Sequence, residues 1–117
     1  MELSGELQSL MNFQKQCNSY GFYNLFKDCE ALSSIENLLI DASILNTHCY
    51  DSLFKGCKNL VGICKKLSAT DLKISCYESM FEDCSSLIYT PQLPSINLAD
   101  SCYKYMFRNC SKLISNP

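Results

Sequence analysis

The length, composition and charge of the chain exclude several classes of protein. Its 117 residues are about one domain long, and the 47% of hydrophobic residues is enough to build a core. Ten Lys and Arg against 12 Asp and Glu leave a net charge of −2, and no run of like charge is longer than the pair Lys65-Lys66. We therefore expect no nucleic-acid partner and no polybasic membrane patch, because both need a concentrated positive surface. No window approaches about 18 consecutive apolar residues, so we expect no membrane span.

Residues 1–16 are predicted to form an N-terminal cap. The start, MELSGELQSLMNF, has acidic residues where a signal peptide has a basic start and an uninterrupted apolar run. We therefore recognise no export signal in it. The cap is expected because the segments that follow are repeats, and a stack of repeats needs a cover over its first member.

Four related segments follow the predicted cap. They are GFYNLFKDCEAL (21–32), CYDSLFKGCKNL (49–60), CYESMFEDCSSL (76–87) and CYKYMFRNCSKL (102–113). The second cysteine of each falls at 29, 57, 84 and 110, so the period is 28, 27 and then 26 residues. A period of this length is typical of solenoids and lies in the leucine-rich-repeat range. The sequence thus predicts one domain, 1–117, with repeat units beginning near 21, 49, 76 and 102.

Each unit is predicted to contain a short helix and a short strand. In the last unit, apolar residues recur every fourth position at Leu98, Cys102, Met106 and Cys110. This spacing favours a helix from about residue 98 to 108. The segment 87–89, which is stopped by Pro91 and Pro94, favours a strand. The predicted fold is an α/β leucine-rich-repeat solenoid of about 3.5 to 4 coils, with the strands in one parallel sheet and the helices on the opposite face.

The third unit carries a family resemblance. Its pattern from Cys76 to Ala99, CYxxMFxxCxxLxxxPxLPxxxLA, resembles the cysteine-containing BspA-like leucine-rich repeats of bacteria, and residues 3–13 resemble the segment that introduces such arrays. The TPQLP of residues 90–94 is replaced by ICKKL at 63–67 and by IENLLI at 35–40. The resemblance implies a right-handed solenoid used for protein binding or adhesion, on secreted or cell-surface proteins. It implies no catalytic activity and no cofactor.

The nine cysteines are expected to be structural rather than reactive. Two residues eight apart on a helix are separated by about 12 Å, whereas a disulfide needs Cα atoms within about 7 Å. Pairings between different columns stay open, and a metal site is disfavoured because the chain has no CxxC pair and one histidine, His48. We therefore favour buried free thiols in two columns, with Cys17 and Cys64 outside the columns and first to react if exposed. The column members are Cys29, Cys49, Cys57, Cys76, Cys84, Cys102 and Cys110.

Nothing in the sequence resembles a catalytic constellation. The four glycines are scattered without a phosphate-binding loop, and His48 lacks an orienting partner in the sequence pattern. The candidate partner contacts lie instead on the predicted strand face, in columns counted from the repeat cysteines. These candidates are Asn37, Lys65, Tyr89 and Gln92. The chain is therefore predicted not to be an enzyme.

Two functions remain as hypotheses. The first is a protein-interaction or adhesion module that binds a protein partner through its sheet face. The second is a structural or assembly component, in a virus or phage particle or a homo-oligomeric stack, that associates through an open C-terminal edge. The second is suggested because the last unit is followed by only a few residues and an unpaired edge tends to recruit another chain.

Overall fold

The strands occupy a small part of the chain. The structure, a computed structural model, describes residues 1–6 and 17–114. Strand β1, Glu2–Glu6, pairs in parallel with strand β2, Ser34–Leu39. The register joins Glu2 to Ser34 and Glu6 to Leu39, with an irregularity between Glu2 and Ser4. Part of the predicted cap is therefore a strand, whereas residues 7–16 of that cap lie outside the described part of the chain.

Parallel pairing continues beyond this sheet only as isolated bridges. Three of them join residues of successive units: Ser34 with Gly62, Lys66 with Gln92, and Asp71 with Asn97. The strand predicted at 87–89 is absent, and no sheet runs through all the units in the described residues. The segments at these positions differ from unit to unit, and their backbone bonds cluster around the three bridges rather than forming a continuous ladder.

The four predicted helices are wrong, and each is replaced by ten residues of consecutive turns. The turn segments are T1 (19–28), T2 (47–56), T3 (74–83) and T4 (100–109). Every fourth residue in them has positive φ, between 55° and 79°, which an α-helix does not allow. In T1 these residues are Tyr20, Asn24 and Asp28. An α-helix is therefore interrupted at each fourth position.

Hydrogen bonding in the turn segments alternates from residue to residue. The amide of Tyr23 donates to the carbonyl of Tyr20, three residues earlier, and the next amide, that of Asn24, donates to Asp51 in T2. This alternation gives five bonds from T1 to T2, five from T2 to T3 and five from T3 to T4, at 2.7–3.2 Å. In T1, T2 and T3, half of the amides thus close local turns, and the other half join each segment to the next one.

The spacing of four that predicted helices fits these turns equally well. Cys49, Tyr50, Leu53, Phe54 and Cys57 are all buried, a pattern of adjacent pairs that repeats every four residues. A helix of 3.6 residues per turn would shift such pairs by about 40° at each repeat, so they would follow a spiral around the helix rather than a straight row. Turns that repeat every four residues keep them all on the inner side, where they form one core with the leucines of the connecting segments.

Aromatic rings run through the core in two stacked columns. Phe22, Tyr50, Tyr77 and Tyr103 form one, with centroids 5.8, 5.8 and 6.0 Å apart. Phe26, Phe54, Phe81 and Phe107 form the other, at 5.8, 5.6 and 5.7 Å. Stacking at these distances is favourable beyond the burial of the rings. The columns therefore help to hold the turn segments in register.

The prediction of an α/β leucine-rich-repeat solenoid is wrong. The described residues contain no helix and only two short strands, in a unit of 31 × 27 × 24 Å. The predicted succession of strand and helix layers does not exist in residues 1–6 and 17–114. What the structure shows instead is four turn segments hydrogen-bonded side by side, with one short parallel pair of strands.

Candidate interaction groove

Three of the four candidate contacts lie together in one open groove. Lys65, Tyr89 and Gln92 line a depression of about 530 Å³, which we call groove A. Its other lining residues are Ile63, Cys64, Lys66 and Thr90. Tyr89 is 46% exposed, and Lys65 and Gln92 are also exposed. Lys65, Tyr89 and Gln92, which the sequence pattern places in columns, are therefore neighbours in space.

The backbone fixes the two sides of groove A against each other. Gln92 donates its amide to the carbonyl of Lys65 at 2.8 Å, and its own carbonyl accepts the amide of Leu67 at 3.0 Å. These bonds form the bridge between Lys66 and Gln92. The positions of Lys65 and Gln92 on one surface are thus set by main-chain pairing rather than by side-chain contacts.

The fourth candidate, Asn37, lies in an adjoining depression. Groove B, of about 360 Å³, is lined by Glu36, Asn37, Leu38, Leu39, Ile40, Asp41, Lys65, Lys66 and Ser68. The side-chain amide of Asn37 donates to the carboxylate of Glu2 at 3.1 Å. Lys65 and Lys66 line both grooves, so they form the border between A and B. Asn37 therefore does not share a groove with Tyr89.

Groove A is a positive site on a protein with net negative charge. Neither Lys65 nor Lys66 takes part in the ion pairs seen among the described residues. The acidic lining residues, Glu36 and Asp41, belong to groove B. Groove A thus offers two ammonium groups, a half-exposed tyrosine ring and a glutamine amide. Lys66 was not among the predicted contacts, although its place beside Lys65 in the only pair of adjacent cations was a signal.

The column thiols are free and mostly buried. All nine cysteines are unpaired, and Cys29 is the one member of the columns that is half-buried. The thiols of Cys57, Cys84 and Cys110 each donate to a phenylalanine carbonyl in the preceding unit, at 3.1–3.2 Å. These bonds repeat the same contact between each pair of neighbouring turn segments. In the last three units, the second cysteine therefore joins neighbouring segments by a weak hydrogen bond rather than by a disulfide.

Burial makes the thiols poor nucleophiles. It raises the pKa of Cys57 and Cys110 to about 11 and the pKa of Cys64 and Cys76 to about 12. The pKa of Cys84 is raised further, by burial first and then by the neighbouring thiols. Since the thiolate is the reactive form, these groups are inert near neutral pH.

The two cysteines outside the columns are not exposed. Cys17 and Cys64 are buried, so neither meets the condition under which we expected it to react first. A hydrogen bond between the Cys17 and Cys49 thiols, together with burial, raises the pKa of Cys49. In the structure Cys17 takes the place that Leu45 and Leu72 hold in the next units, which explains its burial.

His48 has partners that the sequence did not reveal. Its Nδ1 lies 2.7 Å from Asp51 Oδ2, and its ring stacks on Tyr20 at 4.6 Å. Ser52 donates its hydroxyl to the other oxygen of Asp51 at 2.7 Å. The serine thus contacts the carboxylate rather than the imidazole, and the geometry does not place a nucleophile against a base. The cluster lies within T2, and His48 and Ser52 are two of its residues with positive φ.

Across residues 1–6 and 17–114, no three His, Cys, Asp or Glu side chains are grouped to hold a metal ion. The described part of the chain also has no helix long and apolar enough to cross a membrane.

Comparison with protein-family models, with curated proteins and with solved structures finds no match. The resemblance to BspA-like repeats rests on the sequence pattern alone and stays a prediction. The candidate site must therefore be interpreted from its own geometry: an open, positively charged groove beside a half-exposed tyrosine.

Proposed function

We propose that this chain is a non-enzymatic protein-interaction module that binds its partner in groove A. The observation that carries the proposal is the convergence of Lys65, Tyr89 and Gln92 on one open surface. Aromatic residues are enriched where proteins bind one another, and tyrosine combines a large apolar ring with a polar tip.

The chemistry of groove A favours an acidic partner segment. Lys65 and Lys66 have no carboxylate partner among the described residues, so an incoming Asp or Glu does not have to displace one. An apolar side chain next to that carboxylate would cover the ring of Tyr89. We therefore infer a segment with an acidic residue beside an apolar one, bound on the surface rather than in a deep pocket.

A peptide selection tests this proposal. Random peptides displayed on phage are selected on the immobilised chain, and the recovered peptides are synthesised for calorimetric titration. We expect Asp or Glu next to an apolar residue to be enriched. Lys65→Glu should lower the affinity at least tenfold, or about 1.4 kcal/mol, because it turns attraction into repulsion.

Control variants show whether binding depends on groove A or on the net charge of the protein. Lys58→Glu makes the same charge change at an exposed position outside both grooves, and it should leave binding unchanged. Tyr89→Ala should weaken binding of the same peptides. If the recovered peptides bind Lys65→Glu and Tyr89→Ala as tightly as the unchanged chain, groove A is not the interaction site.

A further inference from the structure

The last turn segment presents a row of backbone donors. In T1, T2 and T3, every second amide donates to a carbonyl of the next segment. The equivalent amides in T4 have no acceptor among the described residues. They belong to Ser101, Tyr103, Tyr105, Phe107 and Asn109. Within residues 1–6 and 17–114, T4 therefore has an edge of five N–H groups without acceptors, in the conformation that its predecessors use for pairing.

The first turn segment presents the complementary row of acceptors. The carbonyls of T2, T3 and T4 that accept from the preceding segment have equivalents in T1 without a donor among the described residues. These carbonyls belong to Ser19, Gly21, Tyr23, Leu25 and Lys27. The two ends of the row of segments thus differ in kind: one donates and the other accepts.

Side chains at the T4 end are also incompletely covered. Leu98 is 63% exposed, whereas Leu45 and Leu72 at the same place in earlier units are 1% and 4% exposed. Ile96, nearby in the chain, is 80% exposed. Tyr103 and Phe107 each stack on a ring of T3, and both remain half-buried. This end is therefore an apolar surface edged by amides that have no acceptor in the described part of the chain.

We propose that this end binds T1 of a second copy of the chain, head to tail. A second copy supplies what the edge lacks, because its carbonyl row has the spacing that T2, T3 and T4 use to accept. The charges of the two segments also have opposite sign: residues 100–112 hold Lys104, Arg108 and Lys112 against Asp100, and residues 19–31 hold Asp28 and Glu30 against Lys27. Two T4 edges facing each other would bring donors against donors. The interface is therefore heterologous and can extend beyond a dimer.

The proposed register makes a specific charge contact. Within the chain, Lys55, Glu82 and Arg108 occupy one column, with Glu82 3.4 Å from Lys55 and 3.8 Å from Arg108. Lys27 is the T1 member of that column, so docking sets Lys27 of one copy beside Arg108 of the other. This like-charge pair weakens the association, and changing its sign should strengthen it.

This inference concerns a different surface from groove A and does not depend on partner binding there. Sedimentation velocity of the full chain over rising concentration should show a mass that grows past the dimer. Lys27→Glu should tighten association about threefold to tenfold, as expected for turning a surface repulsion into an attraction. Lys58→Glu, with the same change in net charge, should leave it unchanged.

A second pair of variants tests the apolar part of the surface. Leu98→Glu should weaken association at least tenfold, because it buries a charge against the second copy. Ile74→Glu changes a residue of similar exposure away from the end and should have no effect. Both positions are exposed, so neither variant removes core packing.

Amide hydrogen exchange tests the donor row directly. Exchange at Tyr103 and Tyr105 should slow as concentration rises, whereas Lys104 and Met106, which already donate within the turn, should change little. A chain that stays monomeric to about 1 mM, a closed dimer, or association without protection of these amides contradicts the proposal. The phage selection on groove A is unaffected by any of these results.

Discussion

The two sides of the molecule are ordered by different means. On the turn side, segments of ten residues are joined by five backbone bonds each, and aromatic columns cross all four. On the strand side, one pair of strands is followed by isolated bridges. The residues that recur from unit to unit lie on the turn side, and the residues that vary lie on the strand side. The difference shows that a strict repeat specifies pairing, whereas the variable side is free to carry grooves A and B.

The largest expected effect comes from breaking an aromatic column in its middle. Phe54→Ala removes a fully buried ring that stacks on Phe26 and Phe81, and it should lower the free energy of unfolding by about 3–5 kcal/mol. Phe107→Ala, at the half-buried end of the same column, should cost about 1–2 kcal/mol. Urea denaturation followed by circular dichroism measures both. Equal losses would show that the columns do not order the turn side.

A smaller effect is expected where two turn segments approach closely. Gly56 has φ +79°, and a Cβ there would lie against Oδ1 of Asp28. Gly56→Ala should therefore cost about 1–2 kcal/mol. Asp28→Gly in the same chain should recover part of that loss, since it removes the obstructing carboxylate and keeps the positive φ. A double-mutant cycle in urea measures the coupling, and additive losses would contradict this contact.

The raised thiol pKa values predict that stability falls in alkali. The folded chain holds Cys57 and Cys110 protonated up to a pKa of about 11, above the ordinary value of 9.0. Between pH 9 and 11 the unfolded chain therefore binds fewer protons than the folded chain, so stability is full below pH 9 and is lost as pH rises. Calorimetry should show a falling Tm over this range. Cys57→Ala with Cys110→Ala should make the fall shallower.

The smallest effect on stability is expected from substituting Cys29, which is also the thiol expected to react fastest in the folded chain. Cys29 is half-buried, whereas the other eight cysteines are buried. With a thiol-reactive disulfide reagent, the folded chain should show one fast thiol, and denaturant should release all nine. Cys29→Ser should abolish the fast phase with a stability change within about 0.5 kcal/mol. Cys64→Ser should retain it, and a fast phase that survives Cys29→Ser would contradict the assignment.

The repeated letters of the sequence indicated most of the core, because the apolar columns that recur with the cysteines are buried. They did not predict the turns, because apolar spacing of four is shared by a helix and by turns that repeat every four residues. A signal was present in the position before each second cysteine, which holds Asp28, Gly56, Asp83 and Asn109. These residue types tolerate positive φ better than most, and all four adopt it. Recurrence of Asn, Asp and Gly at one position of a presumed helix was evidence against the helix.

The candidate site was predictable only in part. Lys65, Tyr89 and Gln92 belong to columns counted from the repeat cysteines. They line one groove because main-chain pairing between Lys66 and Gln92 preserves the register of those columns. Column counting did not separate Asn37, since the first unit forms the regular strand β2 and the later units form isolated bridges.

The alternating hydrogen bonds also limit where the chain can change length. One residue inserted into a turn segment would exchange the amides that close turns with those that join segments, and would turn the inner side chains outward. All four segments accordingly have ten residues, although the units differ by one or two residues in length. That variation falls wholly in the connecting segments around the grooves. New loops are thus tolerated on the side of the molecule where recognition is proposed, while the turns keep a fixed count.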